Sequence, residues 1–123
     1  MTVLIGLSAP IERLARMDIQ DAARQGLEEA AKQLEASVRE TLSRRPGEDH
    51  SAPWLRTGSL HDSISTQVDE ATASIGSADP VAVDQELGTR TIPPRPFLGS
   101  TAASEAARTV ETFAAVLLSK LGA

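Results

Sequence analysis

The chain has 123 residues, a net charge of −5, no cysteine, and an aromatic share of 2% from one Trp and two Phe. That length reads as one domain, 1–123, burying roughly two-thirds of its unfolded surface in a core of Ala, Leu, Val and Ile. The composition excludes disulfides, thiolate catalysis and cysteine metal sites, and the acidic balance argues against nucleic-acid binding through a broadly basic surface.

Thr2 to Leu7 (TVLIGL) is a short β-branched and apolar run that reads as an edge strand or an ordered lead-in. No apolar run approaches the roughly 20 residues of a membrane span, and MTVLIGLSAP lacks the basic start and long apolar middle of a signal peptide. The expectation is a soluble product made in the cytoplasm, without membrane contact.

From Pro10 to about Arg45, Ile19, Ala22, Ala23, Leu27, Ala30, Leu34, Val38 and Leu42 recur at helical steps and form one apolar stripe. Ser8 and Pro10 suit the start of a first segment through Arg16, and Asp18 suits the cap of a second, longer one. Arg24, Glu28, Lys32, Glu35 and Arg39 are spaced for pairing on the solvated face. Arg44 and Arg45 are the only tight basic cluster and complement the dipole at the helix end.

Pro46 and Gly47 stop the helix, and Gly47 to Pro53 is a polar loop. Trp54 to Gly58 lead into Ser59 to Val68, read as a strand with Leu60, Asp62, Ile64, Thr66 and Val68 on its mostly apolar side. Asp69, Glu70 and Ala71 suit a hairpin turn, with Thr72 to Gly76 as the second strand. Asp79 and Pro80 fit the N-cap and first position of a short helix, Val81 to Leu87, which Gly88 ends.

Ile92, Pro93, Pro94, Arg95 and Pro96 then predict a stiff, extended, solvent-facing arm, because proline fixes φ and removes the backbone donor. Phe97 and Leu98 close it. Two readings stay open: a rigid docking arm with an apolar anchor, or a tight connector whose Phe97 plugs its own core. From Ser100 onward, Ala103, Ala106, Val110, Phe113, Ala114, Leu117 and Leu121 predict a long closing helix. The fold class is therefore α+β: a long N-terminal helix, a small antiparallel β-hairpin sheet, a short helix, a proline-rich arm and a C-terminal helix. A sheet this small has open edges that another chain would complete.

No catalytic constellation emerges. Ser59, His61 and Asp62 are close in sequence, but on a strand Asp62 points away from the other two. His50 and His61, the only histidines, lack metal-ligand spacing, and there is no Gly-rich phosphate loop. The expectation is a non-enzymatic protein with no cofactor and no metal.

Four features together resemble the head-tail joining and tail-completion family of long-tailed bacteriophages, the small neck and minor tail proteins. They are Gly6 and Leu7 ahead of a long helix; Thr57, Gly58, Leu60, Ser63 and Ile64 at the strand entry; Glu86, Gly88 and Thr89 in a turn; and Pro94, Pro96, Phe97 and Leu98. Where that family commonly carries aromatics, this chain has Val81, Ala82, Val83 and Leu87, which keep an apolar surface with less aromatic area.

The resemblance implies a virion protein of the neck or upper tail. It would form a ring of copies of itself, a hexamer by tail symmetry, against adaptor, stopper, tail-terminator or tail-tube neighbours. Glu86, Leu87, Gly88, Thr89, Pro94, Arg95, Pro96, Phe97 and Leu98 would dock onto a neighbour, and DNA would pass through the channel without sequence-specific binding. A tail terminator or head-closing stopper is the alternative within that class, and a small cytoplasmic protein-binding module the alternative outside it.

Overall fold

The structure, a computed structural model, describes residues 9–69 and 71–122, with side chains from Ile19 onward. It is an α+β fold with the element order α1 (Ala9–Thr41), α2 (Ser59–Asp62), β1 (Ile64–Val68), β2 (Ala73–Ser77), α3 (Val81–Leu87), α4 (Gly99–Ser104) and α5 (Ala106–Lys120). The run Thr2 to Leu7 lies outside the described residues.

Helix α1 is the spine. Its apolar stripe buries Ala22, Ala30, Ala31 and Val38, and Leu42 just past its end is buried as well. Because three of these four buried helix residues are alanine, partners approach closely. At Gly26 an added Cβ would stand 2.9 Å from Phe113 Cδ2 and 3.0 Å from the Phe113 carbonyl, so α5 crosses α1 where there is no side chain to hold it off. Thr112 Oγ1 donates to Gln33 Oε1 at 2.6 Å across the same interface. The polar face pairs as its spacing predicts for Arg24 with Glu28 and Arg39 with Glu35, both at 3.3 Å.

Five boundaries differ from expectation, the second strand by one residue, since it runs Ala73–Ser77 rather than Thr72 to Gly76. Residues 9–41 form one helix, so Asp18 starts no second segment; a continuous run of helix formers outweighs a single capping residue. The helix ends at Thr41, and Arg44 lies beyond it, pairing with Asp49 at 3.0 Å and with Ser51 at 2.8 Å to close the loop. The first strand begins only at Ile64, because Gly58 at φ 84° turns the chain into the helical turn α2. The closing helix breaks at Glu105 (φ −97°, ψ 2°), although Glu105 N donates to Thr101 O and Glu105 O accepts from Thr109 N, so α4 and α5 stay nearly continuous.

The two strands pair antiparallel with Ile64 opposite Ser77 and Val68 opposite Ala73, and Asp69 N donates to Thr72 O at their turn. Helix α1 packs against both strands and against α5. Of the helices, α1 covers the sheet most closely. The core sits where α1, β1, α3 and the end of the arm meet: Val38, Leu42, Ile64, Ala82 and Phe97, with Leu60, Ile75 and Leu98 packed around them.

Candidate functional site

Two of the sequence segments singled out above, Glu86 to Thr89 and Pro94 to Leu98, close on each other as a single device. Helix α3 is set by Asp79, whose Oδ1 accepts the Val81 N–H at 2.9 Å, so Asp79 caps it as expected even though Pro80 already has helical angles. Gly88 ends it at φ 77°, where a Cβ would lie 2.7 Å from Pro94 N and 3.0 Å from the Ile92 carbonyl. Glycine is required there twice, by the backbone angle and by the returning arm. The arm folds back through Thr89 N to Ile92 O and Arg95 N to Gln85 O, while Thr89 Oγ1 accepts from Ile92 N.

Glu86 completes the closure. Its Oε2 accepts the N–H groups of Phe97 (2.9 Å) and Leu98 (3.0 Å), and its Oε1 accepts that of Gly99 (3.0 Å). These are donors that the start of α4 leaves unpaired, so a carboxylate eleven residues upstream does the work of a helix cap. Burial pushes the Glu86 carboxyl up, but the three donors prevail and hold it below the usual range.

The fate of Phe97 is then decided by packing. It is 1% exposed, and Thr101 Oγ1 donates to its carbonyl at 2.6 Å while meeting Thr41 Oγ1 at 3.1 Å. Of the two readings of the arm, Phe97 fills its own core; it is no free anchor. Pro93, Pro94 and Pro96 do face solvent, with Ile92 and Arg95 half-buried. Next to the arm, α3 leaves Val81, Val83 and Leu87 outside, with Leu87 72% exposed; α5 and its end leave Val110, Leu118 and Leu121 outside as well.

The Thr57 to Ile64 segment serves the same core. Thr57 Oγ1 accepts from Ser59 N, Ser63 Oγ donates to the Leu60 carbonyl, and Ile64 is buried with its carbonyl taking Arg39 Nη2 at 2.8 Å. The helical turn also changes the geometry expected of Ser59, His61 and Asp62. His61 Nδ1 does meet Asp62 Oδ1, at 2.9 Å, whereas Ser59 Oγ donates to Asp79 Oδ2 at 2.8 Å. The hydroxyl and the imidazole each engage a different carboxylate rather than one another, so the link that nucleophilic catalysis needs is not made.

Beside this device lies a groove of about 580 Å³. Sequence reasoning missed it. His50 stacks on Trp54 with ring centroids 3.6 Å apart, and the Arg56 guanidinium sits 5.5 Å from the Trp54 ring. Trp54 Nε1 donates to Glu48 O. Val81, Ile92 and Arg95 form the opposite wall, so the groove joins the exposed face of α3 to the arm. Desolvation, then the charges of Arg95 and Arg56, push the His50 imidazole down, against Asp49. A lone Trp followed two residues later by Arg, in a loop bracketed by Pro53 and Gly58, was the available signal.

Among the described residues no group of His, Asp and Glu gathers in a way that could hold a metal ion, and no helix is long and apolar enough to cross a membrane. Compared with protein-family models, curated proteins and solved structures, the chain matches none.

Proposed function

We propose that this chain is a ring-forming structural subunit of the head-tail joint of a long-tailed bacteriophage, acting in tail completion without catalysis. The observation that carries the reading is the outward face of α3. A seven-residue helix leaves Val83 and Leu87, one turn apart on a single face, exposed while the Glu86 carboxylate and the Gly88 turn clamp it rigidly to the arm. An apolar face held in one conformation loses little entropy on docking. The docking residues proposed from this geometry are Leu87 and Thr89 with the exposed Pro94 and Pro96; Glu86, Gly88, Phe97 and Leu98 build the support, and Arg95 extends the surface into the Trp54 groove.

In such a ring of six, each copy brings its net charge of −5. An acidic lumen repels passing DNA and keeps it from adhering. Charge-reversing substitutions on the lumen side should slow DNA ejection; ejection at the normal rate would sink the lumen argument.

The test of the role is to disable the gene in its parent phage or prophage and image the induced lysate by electron microscopy. The expected outcome is filled heads and tails lying apart, or tails with malformed upper ends. Normal infectious particles would overturn the proposal and favour a small cytoplasmic binding module.

A further inference from the structure

The hairpin is open where it faces α5. A groove of about 430 Å³ runs between them, floored by Leu27, Ala30, Ala31 and Leu34 of α1, with β2 as one wall and Val110 and Phe113 of α5 as the other. Its lining draws on β2 and not on β1. Outside the β1 ladder, no backbone hydrogen bond among the described residues involves Ala73 to Ser77. Among the described residues, the outer side of β2 therefore has no backbone partner and stands above an apolar floor, with Val110 65% exposed at the rim. A strand added there gains both a ladder and a buried face.

Outside the described residues the chain carries a segment with that chemistry, Thr2 to Leu7, whose alternation would set Val3, Ile5 and Leu7 on a single face of a strand. Its reach decides whose groove it fills. Along α1, Leu27 stands 18 residues beyond Ala9 and Leu34 25 beyond, so the floor spans roughly 27 to 38 Å from the helix start at about 1.5 Å per residue. Thr2 precedes Ala9 by seven residues, which extend at most about 24 Å at 3.4 Å each. Even fully stretched along its own helix, the segment stops short of the floor.

We infer that Thr2 to Leu7 of one copy adds as a third strand to β2 of a second copy, so that the sheet is completed between chains. The inference supplies the ring reading with its contact between copies, but it rests on the open edge and the reach, and it stands or falls apart from any virion role.

Because the chain has no cysteine, single thiols report this contact cleanly. Full-length Ile5→Cys and Ser74→Cys proteins carrying tags of different size are mixed, oxidised mildly and run without reductant, with Ala73→Cys in parallel to sample the other strand face. The expected result is a mixed-size disulfide dimer for at least one pairing, at least about tenfold above the pairing of Ile5→Cys with Gly47→Cys. Val110→Arg, at the exposed rim, should abolish it with the thermal melt unchanged. A yield no higher than the Gly47 control overturns the inference, as does closure of the Ile5→Cys, Ser74→Cys double variant within one chain at every dilution. Absence of the mixed dimer from a protein that still localises to the neck would remove this contact alone and leave the proposed function in place.

Discussion

Glu86→Ala should be among the most damaging substitutions at any position that is not fully buried. The carboxylate accepts three backbone N–H groups, and a hydrogen bond to a charged acceptor contributes about 1.5–3 kcal/mol. The three share one side chain that water partly screens, so they do not add fully; a loss of about 3 kcal/mol is the expectation. An unfolding entropy of about 2.1 cal/mol/K per residue gives a chain of this length roughly 4 °C of Tm per kcal/mol, hence a fall of about 12 °C. Glu86→Gln, which keeps one oxygen acceptor but places an amide donor against N–H groups, should lose about half as much.

The pH dependence follows in sign. A carboxyl held below its ordinary value contributes stability that is fully present above the unfolded pKa and is lost as pH falls through the folded one. The gap between wild type and Glu86→Gln should therefore be constant near neutrality and narrow below about pH 4.3, the ordinary glutamate value. Thermal and urea unfolding followed by circular dichroism, repeated from pH 7 down to 3, measures both. A Glu86→Ala protein melting within about 1 °C of wild type would refute the account of Glu86 as the cap of α4.

Other substitutions separate the same forces. Gly88→Ala meets a positive φ and a 2.7 Å contact with Pro94 N, whereas Gly47→Ala meets a positive φ and nothing within 4 Å. The first should cost at least about 3 kcal/mol and the second about 1 in urea unfolding, and equal values would show that the arm does not press on Gly88. Phe97→Ala should lose about 3–5 kcal/mol by opening a cavity in the core. Leu87→Asp should leave the melt within about 0.5 kcal/mol of wild type and abolish virion incorporation, since its side chain touches mainly solvent. Gly26→Ala sets a helix-propensity gain of about 1 kcal/mol against overpacking on Phe113 of about 1–3, so it should be neutral to destabilising, and a clearly higher Tm would mean that α5 shifts freely.

What the sequence disclosed and what it hid differ by range. Helical periodicity located α1 and the closing helix, and the Asp79, Pro80 and Gly88 boundary signals located α3, because spacing and caps are local. The strand reading of Ser59 to Asp62 failed because four residues are too few to tell a period of 2 from one of 3.6. Only the left-handed angle at Gly58 chooses between them, and it is a tertiary outcome. Glu86 and Gly88 could be singled out by their motif. Their work could not, since an acceptor and its donors eleven to thirteen residues apart leave no periodic mark. Trp54 and His50 stack in a loop that Arg44, Asp49 and Ser51 draw closed beside the end of α1.

That range effect also bears on why the exposed face and the buried anchor lie side by side. Phe97 had two candidate destinations, and a core of this kind leaves little choice: with two phenylalanines and one tryptophan in the chain, alanines line much of α1 and the space above Val38 needs one large side chain. With Phe97 spent inside, the docking surface beside the arm is aliphatic and is borne by the element that Phe97 steadies, α3. The same carboxylate that caps α4 stands one residue before Leu87, the most exposed of the large apolar side chains on that helix. Loosening the cap should therefore weaken docking through disorder of Leu87 rather than loss of contact. Under that logic Glu86→Gln should reduce assembly at temperatures well below its melting point, and Leu87→Asp should reduce it without moving the melt. Were Glu86→Gln to assemble normally up to its own Tm, rigidity of α3 would play no part in docking.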